Sequence, residues 1–167
     1  MKITNTRKNG GVHMVNLTQK ERMLLEDQKS QEELCIKKYN NYANEAQDPQ
    51  LKQLCRDIAQ KEQQHLNTVN SILNGQVPNM NQQQGQGQRQ NQQQQNQENG
   101  MNNQNDAYLC NDLLSTEKYV SSAYDTAIFE FRDANIRNAL NHIQKEEQQH
   151  GETIFNYMQS HNMYNPQ

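Results

Sequence analysis

Apolar residues recur at steps of three and four along four stretches of this chain, and the stretches fall into two pairs held apart by a segment that cannot join a core. The first stripe presents Leu25, Cys35, Tyr39 and Ala46, and the second Leu51, Ile58, Val69 and Ile72. The third presents Cys110, Leu113, Val120 and Phe131, and the fourth Ile136, Ile143, Ile154 and Met158. Between the pairs, residues 79–105 contain 20 Asn or Gln among 27 residues. Such a tract buries too little apolar surface to offset the entropy of ordering it. The expected fold is all-α: a four-helix bundle made of two helical hairpins, 17–75 and 106–160, with a disordered Gln/Asn-rich linker at 76–105. Residues 1–16 are expected to form a flexible arm and 161–167 a fraying polar tail. Punctuation supports the pairs. Asp48 is placed to cap a helix that Pro49 begins, Gly75 and Pro78 close it, and "RDAN" (132–135) repeats the "QDPQ" (47–50) break.

The hairpins are also copies of one another. At an offset of 85, residues 26–73 match 111–158 at 12 of 48 positions, and "KEQQH" (61–65) returns as "EEQQH" (146–150). Several matched residues are polar and interrupt the apolar stripes. Glu32 lies between Gln28 and Cys35, and Glu117 between Leu113 and Val120. Glu62 and His65 lie between Ile58 and Val69, and Glu147 and His150 between Ile143 and Ile154. Each helix thus aims a carboxylate at the shared core, and the second and fourth add an imidazole one turn on. A buried unpaired ion costs several kcal/mol, and the stripes carry no Lys or Arg to offset it. Two solutions exist. Mutual repulsion and burial can hold some of the acids protonated, or two divalent metal ions can balance four carboxylates. Glu oxygen with His nitrogen suits iron, manganese or zinc better than calcium.

Composition limits the other functions. The formal net charge is −3, from 16 basic and 19 acidic residues, which gives no reason to expect nucleic acid or an anionic membrane as partner. No stretch approaches the ~20 apolar residues of a membrane span, and "MKITNTRKNGGVHM" has no apolar run behind its charges, so it does not read as a secretory signal. Cys35, Cys55 and Cys110 lack metal-ligand spacing and read as reduced thiols that fill the core, although Cys35 and Cys110, on inward faces, could sense oxidants.

One Glu from each of two helices and Glu-x-x-His from each of the other two is a known bundle pattern. On those residues the chain resembles ferritin-like four-helix bundles of the rubrerythrin and bacterioferritin type, over about 17–75 and 105–160. The resemblance implies two divalent metal ions, iron or manganese. Glu32 and Glu117 would be terminal or chelating ligands, Glu62 and Glu147 bridging ligands, and His65 and His150 would each bind one ion. Tyr39 and Tyr124, seven residues after Glu32 and Glu117, match a tyrosine that bonds a ligand carboxylate from behind in those proteins. It also implies that the second and third helices run the same way, so that the linker crosses the bundle's length. Residues 111–158, "NDLLSTEKYVSSAYDTAIFEF" onward, are similar to the coat F family of bacterial spore coat proteins. That similarity implies synthesis in the mother-cell cytoplasm, localisation in the spore coat, and other coat proteins or further copies of this chain as partners.

Three functions follow as expectations. The first is a structural coat component that keeps a dinuclear metal site. The second is a di-iron or di-manganese oxidoreductase of the peroxidase, catalase or ferroxidase type, and the third an interaction protein that keeps the fold without metal.

Overall fold

The stripes form four α-helices, α1 (Gln19–Glu45), α2 (Pro49–Leu73), α3 (Gln104–Glu130) and α4 (Ala134–Ser160). They belong to a computed structural model that describes residues 15–77 and 104–164. Three of the four starts have a local cause. Thr18 caps α1 in a reciprocal box: the Glu21 N–H donates to Thr18 Oγ1 at 3.1 Å, and the Thr18 N–H donates to Glu21 Oε2 at 2.7 Å. Asp48 caps α2, with Pro49 at its first position, and Asp133 caps α4 by accepting from the Asn135 and Ile136 N–H groups. Gly75, at φ 79°, ends α2 in the left-handed conformation that favours glycine. The expected start at Leu17 is two residues early, because Thr18 opens the helix; Leu17 lies ahead of the cap and packs on the core.

α1 packs along α2 and α3 along α4, and the two hairpins meet through α1 against α3 and α2 against α4. Hydrogen bonds fix the directions. Asp106, at the start of α3, accepts from the Gln47 and Asp48 N–H groups just past the end of α1. Glu21, at the start of α1, accepts from the Arg132 N–H just past the end of α3. The two helices are therefore antiparallel, and since each hairpin reverses direction, α2 and α3 run the same way. Val77 and Gln104 consequently stand at opposite ends of a bundle whose 27-residue helices are ~40 Å long. The crossover topology matches the expectation; the Gln/Asn-rich linker itself lies outside the described residues over 78–103.

Residues 1–14 of the expected arm also lie outside the described residues. Its last two residues are attached: the Val15 N–H donates to Gly75 O at 3.1 Å, and Arg132 Nη2 donates to Asn16 O at 3.2 Å. The expected fraying of the tail does not begin at 161. The Met163 N–H returns to Met158 O at 2.8 Å, and Tyr164 meets Phe155 edge-on with ring centroids 5.1 Å apart. Two apolar side chains in "HNMY" find a partner, which outweighs the polarity of their neighbours. Among the described residues, no helix is long and apolar enough to cross a membrane.

Glu21 gives the fold a pH dependence. Burial works against its ionisation, but hydrogen bonds from the Arg132 side chain and from the Thr18 and Arg132 backbone outweigh it and hold the carboxyl at about 2. A depressed carboxylate stabilises the fold fully above its ordinary value of 4.5 and loses that contribution as pH falls through about 2. Glu21→Gln should therefore cost about 1 kcal/mol in urea unfolding at pH 7, with a deficit that shrinks steadily below pH 4.5. A deficit unchanged between pH 7 and pH 3 would contradict this.

Candidate metal centre

The centre is built where polar residues interrupt the stripes at mid-helix. Glu32 on α1, Glu62 and His65 on α2, Glu117 on α3, and Glu147 and His150 on α4 are all buried, between 0% and 7% exposed. Helical geometry selects them: the Glu and His of each Glu-x-x-His stand one turn apart on a face whose other members are Ile58 and Val69, or Ile143 and Ile154. The antiparallel α2–α4 pairing then places the two imidazoles against each other, ring centroids 5.6 Å apart and nearly parallel at 23°.

The side chains converge in two groups. Glu32, Glu62, His65 and Glu147 form one, and Glu62, Glu117, Glu147 and His150 the other, with the donor atoms of each within 4.8 Å of one another. Glu62 and Glu147 belong to both. A ~2 Å ligand bond puts opposing donors about 4 Å apart, so each group has the size of a single ion's coordination sphere. His65 Nδ1 stands 3.0 Å from Glu147 and 3.3 Å from Glu62, and His150 Nδ1 stands 3.1 Å from Glu62 and 3.5 Å from Glu147.

These approaches do not satisfy the atoms. Glu32 Oε2, Glu62 Oε1, Glu117 Oε2, both Glu147 oxygens and His150 Nδ1 are buried without a hydrogen-bond partner. An orphaned buried polar atom costs about 1–3 kcal/mol. Protonation provides part of the balance. Burial and the facing carboxylates push Glu32 well above the carboxylate range, and burial raises Glu117 to about 8. Burial opposes the charge on Glu62 and Glu147 as well, but the imidazoles of His150 and His65 close beside them keep both low. The imidazoles rise in turn, against the pull of burial: carboxylate partners lift His65 well above its ordinary value and His150 to about 11. No lysine or arginine is buried among the described residues. Two divalent cations, each with three carboxylates and one imidazole in reach, would satisfy the orphaned oxygens as well as the charge, so the donor set fits them.

Tyr39 and Tyr124 are fully buried, and each reaches across to the other hairpin. The Tyr39 hydroxyl donates to Glu117 Oε1, and the Tyr124 hydroxyl donates to Glu32 Oε1. Glu117 and Glu32 are thus each oriented by a tyrosine from the opposite half, which ties the geometry of the cluster to the packing of α1 on α3. Burial pushes both phenols well above their ordinary value, so they remain protonated donors.

Glu146 joins the site without having stood out in the sequence. Its carboxylate stands 2.9 Å from His65 Nε2, behind the ring edge that faces the cluster, and 3.4 Å from the half-exposed His142. This contact orients His65 and favours Nδ1 as its donor toward the cluster. The signal was available: position 146 is the only difference between "KEQQH" and "EEQQH". The equivalent residue, Lys61, lies 3.8 Å from Glu146 itself, so the two histidines are supported differently. The cysteines fill the core, as expected: Cys35, Cys55 and Cys110 all lie in the buried apolar cluster. Burial, then the carboxylates of Glu62 and Glu117, pushes the Cys35 thiol far up, and burial raises Cys55 and Cys110 to about 12. All three are buried, free, protonated thiols.

No curated protein and no solved structure matches the chain. Residues 105–167, which carry α3, α4, Glu117, Tyr124, Glu147 and His150, match the Coat F domain family.

Proposed function

We propose that this protein is a component of the bacterial spore coat whose ferritin-like bundle holds two divalent metal ions, iron or manganese. The coat assignment is supported by the Coat F domain match over 105–167. The metal assignment is supported by one observation above the others: two four-donor groups share Glu62 and Glu147, and six of their buried polar atoms lack a hydrogen-bond partner. In this reading Glu32 and His65 would hold one ion and Glu117 and His150 the other, with Glu62 and Glu147 in reach of either. Tyr39 and Tyr124 fix the terminal carboxylates, and Glu146 fixes His65.

A redox-active pair of this kind would supply electrons to, or accept them from, dioxygen or peroxide. A second reading is therefore an oxidoreductase that protects the spore, and a cavity reaching two of the carboxylates favours it.

Elemental analysis of the full chain purified without chelators or affinity tags should find about two iron or manganese ions per chain, one for each donor group. No bound metal, together with melting unchanged by added metal, would overturn the assignment and leave a polar core balanced by shared protons. If Glu62→Ala and Glu147→Ala variants are recovered from purified spore coats at wild-type levels, the site is not needed for assembly. Peroxide consumption lost in the same variants would favour the second reading.

A further inference from the structure

The two halves of the bundle differ at the residue after each histidine. α2 carries Leu66 there, and α4 carries Gly151. Leu66 is buried, with 9% of its surface exposed. On the α4 side a cavity of about 590 Å³ opens instead, with Leu114, Ser121, Gly151 and Phe155 in its wall and Glu117 and Glu147 at its inner end. Resting on the metal-centre reading above, we infer that this cavity is the access port of the candidate centre, that Gly151 keeps it open, and that it admits a small neutral oxidant of the peroxide or dioxygen class to the Glu117–His150 side.

The backbone does not explain the glycine. Among the described residues Gly75 is the glycine with positive φ, so Gly151 adopts a conformation that any residue accepts. Close packing does not explain it either. A Cβ at position 151 would stand 3.7 Å from Leu114 Cδ1 and 3.9 Å from Glu117 Cβ, which is ordinary contact. Glycine is a poor residue for a helix interior, whereas alanine, the best, would fit. What remains is what a larger side chain would fill. A leucine in place of Gly151 would extend into the space that leads to Glu117, as Leu66 occupies the equivalent place in the other hairpin.

The lining indicates the visitor. The lining offers no net charge to draw an ion in: Lys118 and Glu152 offset one another, and Leu114 and Phe155 make part of the wall apolar. A small neutral molecule enters such a lining without giving up an ion's hydration. The support of the histidines also differs between the halves: His65, on the Leu66 side, is held from behind by Glu146, while α2 places Lys61 at the corresponding position for His150.

The test uses the full chain loaded anaerobically with Fe(II), with nitric oxide as a neutral diatomic probe. Iron per chain is measured first, and the rate of nitrosyl formation is then followed by stopped-flow absorbance. Gly151→Leu should slow nitric oxide binding on the order of tenfold or more at unchanged iron content, while Gly151→Ala should stay within about threefold of wild type. Ser122→Trp, an exposed position on the rim, should also slow binding and serves if Gly151→Leu does not fold. Wild-type rates in both plugging variants, with full iron, would overturn the port and leave the metal centre standing. A wild-type chain that binds no iron overturns both, and that result is read before any nitric oxide is added.

Discussion

Adding two equivalents of Fe(II) or Mn(II) to the metal-free protein should raise its melting temperature by about 10 °C or more, and a chelator should reverse the rise. A ligand that binds only the folded state stabilises it by about 4 kcal/mol at a thousandfold excess over its dissociation constant. A domain of this size gains about 2–8 °C for each kcal/mol. Bound ions would also relieve a standing cost, since five oxygens of the four clustered glutamates and His150 Nδ1 are buried without a hydrogen-bond partner. The double variant Glu62→Gln Glu147→Gln separates metal binding from general salt effects. Its amides keep the shape of the side chains but remove the two residues common to both donor groups. It should fold and show little metal-dependent rise. Differential scanning calorimetry of both proteins, with and without metal, decides the matter. A wild-type melting temperature that metal leaves unmoved, or an equal rise in the variant, would contradict the proposal.

The stripes made the architecture legible because each was nearly uninterrupted. The fourth stripe, Ile136 to Met158, appears in full as the buried face of α4. The six cluster residues were legible for the opposite reason: each is polar within an apolar row, and helical periodicity alone puts it inside. Features that depend on how one helix meets another were not legible. Tyr39 and Glu32 share α1, yet Tyr39 bonds Glu117, because the antiparallel α1–α3 contact sets that pairing. Asp106 reads as an opening residue for α3, but it lies two residues inside the helix, which starts at Gln104, and its carboxylate is used across the bundle. Glu21 and Asp106 are themselves related by the offset of 85, just ahead of the window in which the hairpins align. Extending the stripes by one turn, from Leu25 to Glu21 and from Cys110 to Asp106, would have exposed both. Gly151 was silent because an absent side chain leaves no mark on a hydrophobic pattern.

Asp106→Ala should be the most destabilising single change outside the cluster, at about 2–6 kcal/mol. Asp106 is fully buried and accepts from the Gln47 N–H at 2.9 Å and the Asp48 N–H at 2.9 Å. Alanine leaves both amide donors in the α1–α2 turn without their acceptor, at about 1–3 kcal/mol each. Asp106→Asn keeps one acceptor oxygen and should lose about half as much. The effect is local in origin, because Asp48 also caps α2 through the Gln50 N–H and accepts from the Tyr157 hydroxyl at 2.6 Å. A turn freed from Asp106 therefore loosens the point where α1, α2 and α4 converge. Glu21 performs the equivalent task at the other end of the bundle, so the Glu21→Ala Asp106→Ala pair should be additive within about 0.5 kcal/mol, as distant sites are. Urea unfolding followed by circular dichroism gives the energies. Amide hydrogen exchange at Gln47 and Asp48 gives a readout that general destabilisation would not produce selectively: in Asp106→Ala these two amides should exchange faster than their α1 neighbours under conditions where the bundle remains folded. A loss below 1 kcal/mol, or no selective exchange in that turn, would mean that the buried carboxylate at the start of α3 is not a clamp between the two hairpins.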